Sequence, residues 1–187
     1  MGRIEDLSSR YYDHISAPWQ RNLAGAQKTI FVVYDKDDER KLRARLEEFE
    51  TRTVEAGHLW KSFDFTPVFA KWMSSMDYRE SYFEEPDDLS MKLQIEFVRY
   101  AAEELRKVLN AADVTENTVI GAYGVASLFG FTKVSLVLKE VEQSIKGRLI
   151  LFFPGDYENN NYRLLDARDG WNYLAVPITL HSGETLK

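Results

Sequence analysis

Leu149-Ile150-Leu151-Phe152-Phe153 is apolar at every residue instead of every second one, and this constrains the fold more than any other stretch. A strand of that kind is buried on both faces, so its sheet needs a covering layer on each side. That is the situation of α/β proteins with a mostly parallel sheet. Pro154-Gly155 reads as an abrupt end to the strand, and an acidic, Asn-rich loop, residues 155–161, is expected beyond it. Two more β-prone runs follow at 162–165 and 171–178, with Asp169-Gly170 as the turn signal between them. In open α/β sheets the loops after the strand C-termini line the ligand crevice. Residues 155–161 would be in that place, whether for a ligand, a metal or a protein partner.

Upstream, apolar runs alternate with stripes of helical period. Ile4, Leu7, Tyr11 and Ile15 form the first stripe; Pro18 ends it, and 19–27 reads as a linker. Thr29–Tyr34 is a buried strand by composition, and 59–63 and 117–123 are two more, the last with a flexible exit at Gly121 to Gly124. Between them, 36–56 carries Leu42, Leu46, Phe49 and Ala56 and closes at Gly57. Thr66 reads as an N-cap before Pro67, with Val68, Phe69, Trp72 and Met76 on one face. Residues 78–89 have no clear period and mix aromatics with acids. A long helix is expected next, with Met91, Ile95, Val98, Ala102, Leu105 and Leu109 along its buried side. Thr132 is the expected cap of a last helix facing the core through Val134, Val137, Leu138, Val141 and Ile145, and Gly147 ends it. This order predicts one three-layer, Rossmann-like α/β domain over residues 1–187 with a mostly parallel central sheet and right-handed crossovers. Residues 1–27 supply a helix and linker packing on the core. The runs at 162–165 and 171–178 lie too close together for a crossover, so they are expected as a C-terminal antiparallel hairpin at the sheet edge.

At 187 residues and 44% hydrophobic, the chain can fill one such core. Its net charge of −6 argues against nonspecific nucleic-acid binding, which needs a basic stripe to release counterions. The absence of cysteine excludes disulfides, Cys-based zinc sites and thiol chemistry. The first residues carry acids and no apolar core, unlike a signal peptide, and no apolar run approaches the roughly 20 residues of a membrane span. A soluble, cytoplasmic protein is expected.

Asp35-Lys36-Asp37 after the first strand has the form of the Asp-x-Asp pair of haloacid-dehalogenase-type phosphotransferases, nucleophile first and acid/base second beside magnesium. Glu39 stands where that family carries Thr or Val, and a helix begins at once. The favoured reading is that Asp35, Asp37 and Asp38 cap the helix start; a magnesium-dependent phosphohydrolase is the alternative. Asp35, Asp64 and Asp156 each follow a predicted strand and could converge on one sheet edge as a metal site. Phosphate motifs fail: Gly25-Ala26-Gln27-Lys28-Thr29 precedes a strand, and Gly130-Phe131-Thr132-Lys133 lacks the glycine spacing. A degenerate nucleotide-binding fold is a second alternative. His14, His58 and His181 lie in unrelated contexts, and Ser127 lacks the glycine of a nucleophile elbow. No catalytic, cofactor-binding or metal set is assigned, and a small-molecule ligand is not expected. Aromatics in polar surroundings remain: Tyr78, Tyr82 and Phe83 among acids, and Tyr157 and Tyr162 beside Asn159 and Asn160. These seven are the candidate partner contacts.

Phe31-Val32-Val33-Tyr34-Asp35-Lys36-Asp37-Asp38-Glu39 near the start, paired with Leu151-Phe152-Phe153-Pro154-Gly155-Asp156-Tyr157 near the end, resembles the BrxB family. The glycine-flanked strand at 121–130 and the helix at 132–146 between them agree with that pattern. The resemblance implies a small cytoplasmic component of BREX, a bacterial anti-phage system that includes a DNA methyltransferase, an AAA-type ATPase and the phosphatase-like protein PglZ. It further implies an assembly subunit without catalytic activity. Its expected direct partner is a PglZ-like protein, not nucleic acid or membrane.

Overall fold

The structure, a computed structural model, describes residues 2–165 and 173–180. Among these, six strands form one sheet: β1 (Thr29–Tyr34), β2 (Leu59–Asp64), β3 (Thr118–Tyr123), β4 (Arg148–Glu158), β5 (Asn161–Leu164) and β6 (Val176–Ile178). Their order is β2-β3-β4-β1-β6, all pairs parallel, with β5 added antiparallel to the far end of β4. The mostly parallel α/β sheet flanked by helices follows directly from the alternating strand and helix periods.

Alternation along the strands divides the core in two. Ile30, Val32 and Tyr34 of β1 and Ile150 and Phe152 of β4 face α1 (Arg3–Ser16), α2 (Glu39–Ala44) and α3 (Leu46–Glu55). Phe31, Val33, Leu149, Leu151 and Phe153 face α4 (Val68–Ser74), α7 (Val98–Leu109) and α8 (Val134–Val141). Residues 149–153 are fully buried, as a two-sided apolar run requires. Residues 4, 7, 11 and 15 of α1 are all buried, so the N-terminal helix packs on the core as its period indicates. Tyr11 stays there because its hydroxyl bonds Thr53 Oγ1 at 2.6 Å, which satisfies a buried polar tip.

Several local expectations change. The strand does not stop at Pro154-Gly155: β4 runs on to Glu158, turns at Asn159 (φ 50°) and Asn160 (φ 64°), and returns as β5. Two consecutive left-handed Asn residues are the chemistry of a tight two-residue hairpin turn. The antiparallel hairpin therefore joins β4 to β5, not residues 162–165 to 171–178. Its supposed partner strand, β6, lies on the opposite side of β1 and pairs parallel with it, Phe31 facing Pro177. The Asp169-Gly170 turn and Trp171 lie outside the described residues. Residues 36–56 form a 3-10 turn and two helices, broken at Arg45 (φ −120°, ψ 13°). Thr66 and Thr132 cap nothing. The Thr66 hydroxyl accepts from Arg43 at 2.9 Å, and the buried Thr132 hydroxyl has no partner. Gly124, at φ 75°, is the exit of β3, whereas Gly121 lies inside the strand, where a Cβ would overlap the Trp60 ring.

The largest change is in the helix expected after residue 90. A short α6 (Ser90–Lys92) passes through a π turn, Leu93–Phe97, before α7 begins. The wider turn shifts the helical phase. Leu89, Phe97, Val98 and Ala101 take the buried side, while Met91 and Ile95 are 78% and 54% exposed.

Candidate functional site

The helices after β1 cover one face of the sheet, and those leading from β2 to β3 and from β3 to β4 cover the other. A crevice is expected where adjacent strands send their chains to opposite faces. Here the space lies at the carboxyl end of β1, beside the part of β4 that extends past it. A cavity of about 180 Å³ there is lined by Arg3, Tyr34, Asp35, Asp156, Tyr157, Glu158 and Thr179, among others.

Asp35 ends β1, and its Oδ1 accepts the Asp37 N–H at 3.0 Å, closing the turn into the 3-10 segment. Its Oδ2 is 3.4 Å from Arg3 Nη1. The backbone bond, then the charge and hydrogen bond of Arg3, hold the Asp35 carboxyl below its ordinary value of 3.8. Arg3 also lies 3.7 Å from the buried Asp38, which Lys41 pairs at 2.7 Å. Tyr34 donates to Glu39, and burial first, then Glu39, raises its pKa. Glu39 in turn holds Arg43 at 2.7 Å. Of the three acids expected to cap the helix start, Asp35 does so through the Asp37 N–H, whereas Asp38 makes no cap hydrogen bond and pairs with Arg3 and Lys41 instead.

The sign of the Asp35 effect on stability follows. A carboxyl lowered in the folded state adds stability above its unfolded value, and this is lost as pH falls through the lowered one. Urea midpoints of wild type and Asp35→Asn, measured from neutral pH to about pH 2, should therefore differ by a constant amount at neutral pH and converge below about pH 4. A gap that stays constant to the acid end would show that Asp35 does not act through its charge.

Of the three aspartates expected at strand exits, Asp156 lies inside β4 instead, and the structure places it and Asp35 at one cavity. Asp64 closes β2, at the sheet edge beyond β3 and β4, where its Oδ1 caps Thr66 N–H at 2.8 Å. Among the described residues, no group of three or more His, Asp or Glu side chains is placed to hold a metal ion. Ser127 donates to the carbonyl of Gly124 at 2.6 Å and reaches that of Phe65 at 3.1 Å, a structural role. His58 stacks on Trp19 with centroids 3.8 Å apart, His14 lies at the end of α1, and His181 lies outside the described residues.

The seven candidate contacts separate into two regions. On the hairpin, Asn159 and Asn160 form the exposed turn and the Tyr157 hydroxyl donates to Asn160 Oδ1 at 3.0 Å. Tyr162 is a correction: it is 1% exposed, its ring 4.3 Å from Phe31 and its hydroxyl bonded to Ala175 O at 3.0 Å. The inward side of β5 carries it into the core, so it offers a partner nothing. On the helical excursion, Tyr78 precedes α5 (Arg79–Glu84) and Phe83 lies within it, 79% and 65% exposed, while Tyr82 is half-buried beside Lys92. Met91 and Ile95 extend this exposed apolar segment, and reading a regular helix there concealed them. Phe131 stacks on Phe69 at 3.8 Å and lies 6.5 Å from Phe97, which brings the loop carrying exposed Phe129 to the border of the π turn.

No protein-family model, curated protein or solved structure matches the chain.

Proposed function

We propose that this protein is a non-enzymatic interaction subunit of a BREX-like anti-phage complex in the bacterial cytoplasm, resembling BrxB, and that it docks a PglZ-like protein. The observation that carries the docking surface is the exposure of Tyr78, Phe83, Met91 and Ile95 along one continuous segment. Large apolar side chains concentrated in this way mark protein contacts more often than solvent does. The segment also states what its partner should look like. Residues 77–88 hold six acids, Asp77, Glu80, Glu84, Glu85, Asp87 and Asp88, against one base, Arg79. A complementary face is an apolar groove with a basic rim. The resemblance at the two strand exits supplies the biological setting, and no helix among the described residues is long and apolar enough to cross a membrane.

Purification of the tagged protein from its native operon should bring down a larger partner in near-equal amount; recovery of the subunit alone would overturn the proposal. The presence of Asp35 and Asp156 in one cavity favours a second reading, a magnesium-dependent phosphohydrolase. Turnover of a generic phosphate ester that disappears in Asp35→Asn would establish that reading instead.

A further inference from the structure

At the opposite edge of the sheet, where the strands begin, a cavity of about 390 Å³ is lined by Trp19, Arg21, Lys28, His58, Lys146 and Arg148, among others. Glu116 is the one acid in its lining, so four full cations meet one carboxylate in a chain whose net charge is −6. The cations come from separate segments: the linker, the residue before β1, the residue before Gly147, and the first residue of β4. The parallel sheet brings these starts together.

None of the four is ion-paired among the described residues. Lys28 Nζ bonds Ile145 O at 3.2 Å and Lys146 Nζ bonds Val114 O at 3.1 Å. Arg148, 8% exposed, bonds Gly147 O at 3.0 Å and Gln20 O at 3.2 Å, with its guanidinium 4.6 Å from the Trp19 ring centroid. Carbonyls at the ends of helices and turns attract cations, which accounts for the placement of Lys28, Lys146 and Arg148. They do not cancel the charge. A buried guanidinium needs a counter-charge as well as hydrogen bonds, and it has five N–H donors, of which two are bonded here. Each ammonium likewise has three donors and one carbonyl partner. The carbonyls therefore hold the cations in position and leave donors over.

We propose that this cavity binds a small phosphate-bearing anion. Its volume falls in the range of small-molecule sites. The burial of Arg148 favours a compact ligand over a broad macromolecular surface, and its fork suits phosphate oxygens. Linear phosphate motifs gave no sign of the site because it has no glycine loop and no helix N-terminus.

The test is calorimetric titration of the full chain with pyrophosphate at fixed ionic strength, for wild type and for a variant carrying Arg21→Glu and Lys146→Glu. Both positions are exposed, so the variant should fold, and an unchanged melting temperature would confirm it. Saturable binding to wild type is expected, weakened about 10-fold or more in the variant, the value of one or two charge-assisted hydrogen bonds. No binding up to about 1 mM pyrophosphate, or equal affinity in the folded variant, would overturn the assignment.

Discussion

Gly155→Val is expected to destabilise the protein by about 4 kcal/mol, roughly the sum of an overpacking penalty and the partial uncovering of two core side chains. Gly155 sits within β4, opposite Leu164 of β5. A Cβ at this position would overlap the carbonyl oxygen of Arg163 and approach Arg163 C at 3.0 Å and Leu165 N at 3.1 Å. All three are backbone atoms, so no rotamer change relieves the contact. The hairpin has to part, and Tyr162 and Leu164, 1% and 0% exposed, lose their seat. Gly155→Ala should act in the same direction, since the first carbon is the one that collides. Urea unfolding measures both. A loss below about 1 kcal/mol for the valine variant would mean that the two strands are not packed as closely as described. The glycine of the Phe-Pro-Gly stretch thus has a structural reason to be there: it permits close strand pairing.

Phe31→Ala should cost about 3–5 kcal/mol, the range for a buried aromatic replaced by alanine. Phe31 is fully buried at the centre of the larger core cluster, with its ring 5.4 Å from Phe153, 4.3 Å from Tyr162 and 5.7 Å from Tyr173. These neighbours come from β4, β5 and the chain leading into β6. The cavity therefore opens where three elements meet, and none of them can close it alone. A melting temperature about 10 °C lower is expected, at roughly 2–4 °C per kcal/mol for a domain of this size. Phe31→Leu, which keeps most of the volume, should lose about 1.5 kcal/mol or less.

The sheet could be read in the chain because its signals are local and redundant. Residues 29–34 and 149–153 are apolar without alternation, and each helix between strands shows its own stripe. What could not be read depended on phase or on distant partners. A regular helix over 91–109 buries Met91 and Ile95; a single π turn turns both outward, and nothing in the local period announces it. Pro154-Gly155 looked like a strand end because proline and glycine usually are one. Here Pro154 still pairs with Tyr34 of β1, its carbonyl accepts the Leu165 N–H at 2.9 Å, and Gly155 admits the Arg163 backbone, so the strand continues. Tyr162 looked like a surface aromatic because its neighbours in sequence are polar, yet strand alternation turns it inward. The crevice was half legible: Asp35 at the exit of β1 and Asp156 within the neighbouring β4 do line one cavity. Asp64 does not, because strand order places β2 at the edge, and order is not written locally.

The central claim is that the segment from Tyr78 to Ile95 docks a protein partner, and its most direct measurement is the affinity of that partner for wild type and for a variant with Phe83→Asp and Ile95→Asp. Both side chains are more than half exposed, so the melting temperature should hold. If the account is right, the PglZ-like partner binds wild type and affinity falls by about 100-fold or more in the variant, as loss of interface anchors would dictate. Equal affinity in the two proteins, or no partner bound by wild type, would contradict it.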